Sequence, residues 1–287
     1  MKIGFLFMLT IAGIFSGCQQ RSDSGGIARA DNTGISNRKN ETYATQEKQK
    51  AADDGELDSV WLEKARTDAF KIARPAFRKN DFSRQYEFYP EDSSYAIGID
   101  ITIGNLFDDG QHYFLLRRHV PWATLVDVYK LVDTTTQRVI SRSQGGMTFV
   151  RDTILDVNGD HVNDFLVHWY PASGCCRRNI YSVYLNLASN RAFSNEYEFI
   201  NPTFSPGEKI IRGVEYGHPG EVGLYKYRWN GLEVDTVEFI YPDVQAKGQF
   251  IKTRRRHYRP TKDDGTVLKN VPAEYHHIES YDWFIEF

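Results

Sequence analysis

The sequence is short of charge of one sign, of cysteine, and of long apolar runs. Its 35 lysines and arginines nearly balance 38 aspartates and glutamates, a net charge of −3 over 287 residues. Nucleic acid is therefore not expected as a partner, since its binding rests on clustered positive charge. Only three cysteines occur, Cys18, Cys175 and Cys176, and the last two are adjacent. Beyond Phe15 no stretch is long and apolar enough to cross a bilayer as a helix. Motifs are missing too: there is no Gly-rich phosphate loop, no nucleophile elbow and no zinc-ligand spacing. Carboxylates are scattered widely and single out no acid/base pair. These absences argue against an enzyme and for a binding or structural protein.

What is present begins at the N-terminus. Lys2 forms a minimal positive region, Ile3 to Phe15 is apolar, and the small residues Ser16 and Gly17 precede Cys18. The run is too short for a resident membrane helix and has the layout of a secretory signal peptide. The ending Ser16-Gly17-Cys18 resembles the bacterial lipobox, whose cysteine is lipidated and becomes the first mature residue. Phe15 stands where that pattern prefers Leu. The other reading is ordinary cleavage near Gly17. Gln19, in place of Asp, implies outer-membrane sorting, with acyl chains as the anchor. If Cys18 carries lipid, Cys175 and Cys176 remain. In an oxidising envelope they could close a strained vicinal disulfide, or stay as two packed thiols.

From Gln19 to about Asp54 the chain is polar and cannot bury enough surface to fold. It reads as a flexible tether with an r.m.s. reach of about 30 Å. Asp58 or Ser59 can cap a helix whose apolar face is Trp61, Ala65, Ala69 and Ile72, ended by Pro75. From Tyr95 onward the pattern is of short strands with recurrent turns. The candidates are 95–103, 113–116, 123–131, 138–141, 147–155, 164–170, 179–187, 208–216, 223–229, 232–240, 249–258 and 276–285. The expected organisation is a signal peptide over 1–17, a lipidated cysteine and linker over 18–55, and an all-β domain over 56–287 with an N-terminal helix. Composition does not choose among sandwich, barrel and propeller.

The most specific motif is Asp156-Val157-Asn158-Gly159-Asp160-His161-Val162-Asn163-Asp164. Oxygen side chains fall at loop positions 1, 3, 5 and 9. That spacing suits a hard cation with six or more oxygen ligands, Ca²⁺ before Mg²⁺. Asp156, Asn158, Asp160 and Asp164 would offer side-chain oxygens, and Val162 its carbonyl. Position 12 is Val167, so this is not an EF-hand, which needs Glu there. His161 occupies a position that favours a left-handed backbone. The alternative is an Asx-rich turn that binds nothing. The loop followed directly by a strand resembles the calcium loops of integrin-type propeller repeats.

Together with Asn179 to Leu185, Phe199 to Phe204, Lys209-Ile210-Ile211 and Tyr225 to Trp229, this loop resembles one family. It is the calcium-binding, propeller-type periplasmic lipoproteins that act as lysozyme inhibitors or as immunity proteins against peptidoglycan-cleaving effectors. The resemblance covers roughly Leu155 to Phe239. It implies a small propeller of about five blades, Ca²⁺ at the loop, and a protruding loop that plugs a lysozyme-like cleft. The matching segment is Pro171 to Arg178. Ser173 and Gly174 match the plug's Ser-Gly, Cys176 stands in place of its Tyr, and Arg177 and Arg178 could meet the catalytic carboxylates of such a cleft.

The expectation is thus a non-enzymatic outer-membrane lipoprotein, on the periplasmic or surface side. It would bind and inhibit a lysozyme-like peptidoglycan hydrolase through a Ca²⁺-braced β domain. The alternative is a glycan- or cell-wall-binding module, or a structural one. The basic run Lys252, Arg254, Arg255, Arg256 and Arg259 is expected to be a solvated face of a late strand.

Overall fold

In a computed structural model of the chain, residues 58–285 are described, apart from 92–93, 134, 173–175 and 188–191. The signal peptide, Cys18 and the tether lie outside the described residues, as do Ser173, Gly174 and Cys175. Everything below belongs to one unit, Gly55–Phe287.

Helix α1 covers 58–73. Trp61, Ala65, Ala69 and Ala73 recur every fourth residue and are buried, the spacing that puts them on one face. Ile72, expected on that face, only packs at its margin. The α-helix stops where Pro75 enters a 3-10 turn, Arg74–Ala76. The face is made mostly of alanine, so the helix lies close to the sheet beneath it.

That sheet contains β1 (Asp81–Phe88), β2 (Ile97–Gly104), β3 (Tyr113–Val120), β4 (Ala123–Val132) and β5 (Thr135–Ser143), paired in sequence order. Ile97, Ile99, Ile101 and Ile103 alternate along β2 and pack on α1, with Phe114, Leu116, Tyr129 and Leu131. The intervening residues of β3 and β4, Tyr113, Leu115, Val126 and Val128, face the other way into a second core. Simple alternation along β4 serves both cores, and the register shift against β5 leaves Val139 as the extra residue on β5.

The second sheet has the order β11-β8-β7-β6, from β6 (Met147–Leu155), β7 (Asp164–Pro171), β8 (Ile180–Tyr184) and β11 (Tyr197–Ile200). A small hairpin, β9 (Asn186–Leu187) with β10 (Ala192–Phe193), interrupts it. Alternation along β7 explains its position in the fold. Phe165, Val167 and Trp169 face the first sheet, whereas Leu166 joins Tyr181, Val183 and Phe199 in a core shared with the third. Buried on both faces over its first half, β7 carries the apolar run Phe165-Leu166-Val167, which His168 interrupts.

The third sheet pairs β12 (Pro202–Ser205), β13 (Ile210–Val214), β14 (Leu224–Asn230), β15 (Glu233–Pro242), β16 (Phe250–Thr253) and β17 (Thr266–Leu268) in order. Its outer face, Val214, Leu224, Ile240 and Phe250, is covered by Val271, Tyr275, Ile278 and Phe284 of the C-terminal segment. The expected strand over 276–285 is not formed. This segment holds a 3-10 turn, Ala273–Tyr275, and a short helix α2, Tyr281–Ile285. Strand alternation through Ile278 and Phe284 would have placed Ser280 and Asp282 on the apolar face. Helical turns bring Tyr275, Ile278 and Phe284 to the core and leave those polar residues out of it.

The protein is therefore mostly β, with antiparallel sheets stacked face to face between α1 and the C-terminal segment. No closed barrel or closed propeller is found among the described residues. Three sheets of four to six strands are present where the resemblance implies about five blades.

Candidate functional site

The Asp156–Asp164 loop joins β6 to β7, with Leu155 and Asp164 paired across its base. Its polar side chains turn inward onto the loop's own backbone. Asp156 accepts the amides of Asn158 at 3.1 Å, Gly159 at 2.7 Å and His161 at 3.0 Å. Asn158 accepts from the Asp160 amide at 3.0 Å, and Asp160 from the Val162 amide at 2.9 Å. Asp164 accepts from Val157 at 3.0 Å and from Asn186 at 2.9 Å, tying the loop to the β9 hairpin. The left-handed conformation expected at His161 is present, with φ +67°. Gly159, at φ +75°, lies so close to the Pro206 carbonyl that a Cβ would come within 2.1 Å of its oxygen. Only glycine suits both conditions.

Asp164 is fully buried. Burial pushes its carboxyl up to about 7, and the charges of Asp160 and Asp156 add to that, although two backbone amides oppose it. None of the groups acting on it is an ammonium or guanidinium. All the candidate donors are oxygens, which suits a hard divalent cation, and such a cation would relieve the repulsion recorded at Asp164. The carboxylates are not drawn into a ready-made cage, however. Among the described residues no group of three or more His, Cys, Asp or Glu side chains is arranged to hold a metal ion.

The second candidate is the segment around Arg177 and Arg178. Ser173, Gly174 and Cys175 lie outside the described residues. At its start the Ala172 amide donates to the Gly146 carbonyl at 3.1 Å. At its end the buried side chain of Asn201 is the tie. Its amide donates to the Arg177 carbonyl at 2.9 Å and the Val214 carbonyl at 3.0 Å, and its oxygen accepts the Asn179 amide at 3.0 Å. Cys176 is disulfide-bonded, to a partner outside the described residues, and its Sγ is 3.6 Å from His218 Nδ1. Cys176 and Arg177 both have positive φ, so the chain turns sharply here.

The two arginines are not free in solvent. Arg177 pairs with Asp282 at 2.6 Å and lies 5.3 Å above the Trp283 ring. That hydrogen bond holds the Asp282 carboxyl below its ordinary range. Arg178 lies 5.0 Å above the Tyr216 ring. Sequence reasoning missed Asp282, Trp283 and Tyr216 as partners, since each lies far along the chain and no local spacing links them to the loop. Asn201 is the exception in kind: an Asn before Pro202 signals a turn, and its φ of +47° fits one.

The basic run is exposed at Arg254, Arg255, Arg256 and Arg259, as expected of a solvated face, but most of it lies beyond the strand. β16 ends at Thr253, so Arg254 to Arg259 follow the strand. Lys252 pairs with Glu238, Arg256 with Glu215 and Arg259 with Glu221. These three cations pair with specific carboxylates while remaining exposed to solvent. Comparison with family models, curated proteins and solved structures found no match for this chain.

Proposed function

We propose that this chain is an envelope lipoprotein, anchored through acylated Cys18, whose β domain binds and blocks a lysozyme-like peptidoglycan hydrolase without itself being an enzyme. The observation that carries this reading is the anchoring of Ala172 and of residues 176–179. Asn201 holds the base of this segment, Cys176 is in a disulfide, and Arg177 and Arg178 are braced on aromatic rings. A loop restrained in this way loses little entropy on binding, and arginine beside aromatic side chains is a frequent anchor of protein interfaces. The Arg177–Asp282 pair is exposed and so worth little to stability. Its guanidinium can exchange Asp282 for a carboxylate of the partner at low cost.

In this reading Asp156, Asn158, Asp160, Asp164 and the Val162 carbonyl hold Ca²⁺, and the ion supplies the positive charge that the buried Asp164 lacks. The protein's own residues do the rest: Asp164 fixes the hairpin through Asn186, and Gly159 seats the loop against Pro206. The three stacked sheets support a propeller-type array. We read them as its blades, fewer than the about five that the resemblance implies.

The test is inhibition of purified lysozymes of several structural types by the soluble mature chain, with calcium and with chelator. Inhibition is expected to weaken at least tenfold in an Arg177→Ala, Arg178→Ala double variant whose melting temperature stays near that of the parent. Inhibition that survives the double replacement removes this loop from the interface. Failure to inhibit or capture any hydrolase type overturns the reading.

A further inference from the structure

A concavity of about 530 Å³ opens between the loop that follows β13 and the segment that follows β16, within the range of small-ligand sites. Its walls include Glu215, Tyr216 and Glu221 on one side and Arg256, Tyr258 and Arg259 on the other. A smaller hollow of about 150 Å³ continues from it past Glu215 and Arg256 towards Tyr225 and Tyr227. Glu221, Tyr258 and Arg259 belong neither to the calcium loop nor to the hydrolase-binding segment proposed above, whereas Tyr216 carries Arg178 of that segment.

The lining limits what could bind. Each arginine has its own carboxylate: Arg256 bonds Glu215, and Arg259 approaches Glu221 at 3.5 Å. The two arginines and two glutamates balance one another, so these pairs offer no excess attraction to an anion or a cation. A purely apolar ligand would strip water from four charged groups and return no hydrogen bonds. The cleft also presents aromatic surface. Tyr258 is 88% exposed and Tyr216 47% exposed. Each ring is steadied by a guanidinium, that of Arg259 at 5.4 Å from Tyr258 and that of Arg178 at 5.0 Å from Tyr216. The floor is fixed, since Tyr241 accepts the His257 amide at 3.1 Å and Glu215 is nearly buried.

A neutral molecule with a flat C–H face and a rim of hydroxyls meets all these conditions. We infer that this cleft binds an uncharged saccharide, whose ring face lies on Tyr258 and Tyr216 and whose vicinal hydroxyls bridge the Glu215–Arg256 and Glu221–Arg259 pairs. Carboxylate oxygens accept from hydroxyls and guanidinium N–H groups donate to them, so each pair can engage both roles of a diol. The cleft borders the hydrolase-binding segment through Tyr216, which carries Arg178, and His218, which approaches Cys176, so Tyr258 and Glu221, for which no contact with that segment is recorded, are the positions that test it separately.

The experiment is titration calorimetry and saturation-transfer NMR on the full mature chain. The neutral probes are chitotetraose, cellotetraose and maltotetraose, and an oligogalacturonate of equal length is the anionic probe. At least one neutral tetrasaccharide is expected to bind in preference to the anionic one. Tyr258→Ala should weaken that binding at least tenfold with no change in melting temperature, and Glu221→Gln should weaken it severalfold. Inhibition or capture of a hydrolase should be unaffected by Tyr258→Ala. The inference is overturned if no neutral probe binds, if the anionic probe binds more tightly, or if Tyr258→Ala leaves affinity unchanged.

Discussion

Two neighbouring residues of the β6–β7 loop have opposite relations to their backbone. Gly159 needs its positive φ and its missing Cβ, because Pro206 stands directly against it. Gly159→Ala is expected to cost more than the roughly 1–2 kcal/mol of a left-handed L-residue, since a backbone carbonyl must also move. His161 carries a similar φ with a full side chain, so His161→Gly should stabilise the fold by up to about 1 kcal/mol. Urea denaturation of the two variants should show midpoints moving in opposite directions. Asp164 gives the pH test. Its folded-state carboxyl is raised to about 7, against about 3.9 for an unperturbed Asp. In chelator the folded state therefore holds the proton more tightly than the unfolded chain. Its own contribution to stability is complete below about pH 4, is lost as pH rises towards about 7, and changes no further above that. The full effect is at most about 4 kcal/mol. A calcium ion at the loop would favour the charged form and remove the slope. Melting temperatures whose Asp164-dependent fall lies between about pH 4 and pH 7 in chelator, but not in calcium, are expected. An identical fall in both conditions would count against calcium at this loop.

At the scale of elements, α1 and the C-terminal segment are the informative cases. Ala65 and Ala69 are fully buried where α1 meets the isoleucines of β2. Ala69→Leu should destabilise by about 1–3 kcal/mol through overpacking, measurable by chemical denaturation. The C-terminal segment is held partly by Glu274, which bonds Arg212 and Lys226. Burial alone would raise its carboxyl, but those hydrogen bonds outweigh burial and hold it below the ordinary value. With a depressed folded-state pKa, its contribution is complete above the unfolded value and is lost as pH falls through the folded one. Glu274→Gln should therefore flatten part of the acid limb of the stability curve. The sequence announced elements whose own residues repeat. β2 alternates isoleucines, α1 repeats small apolar residues every fourth position, and β6 was legible end to end over 147–155. β1 was not, because Asp81–Phe88 is polar on most positions and is ordered by pairing with β2. Residues 276–285 were misread because Tyr275, Ile278 and Phe284 find their core partners on β13 to β16, which no local pattern reveals. The turn conformation of Asp156–Asp164 was legible for the opposite reason: its hydrogen bonds run mostly within nine residues.

At the scale of the molecule, the second sheet is the shared middle of the stack. Its odd positions on β7 complete one core and its even positions another. Damage there should be felt on both sides. Trp169, fully buried between the first and second sheets, is the sharpest probe. Trp169→Ala should cost about 3–5 kcal/mol and still give a single unfolding transition by fluorescence and far-UV circular dichroism alike. Separate transitions would mean that the sheets fold as independent blocks.

The terminal coverings have a different consequence, for how such a chain can change its length. Each outermost sheet has its exterior sealed by a segment that is not itself a sheet: α1 at one end and the turn-and-helix tail at the other. Like the covers of a book, these two pieces set where the series begins and stops. A duplicated sheet appended beyond either cover would find no sticky face to join. One slipped between them would be accommodated, provided it brought two greasy sides of its own. Growth or shrinkage in descendants of this chain should therefore occur in the interior, with both covers retained.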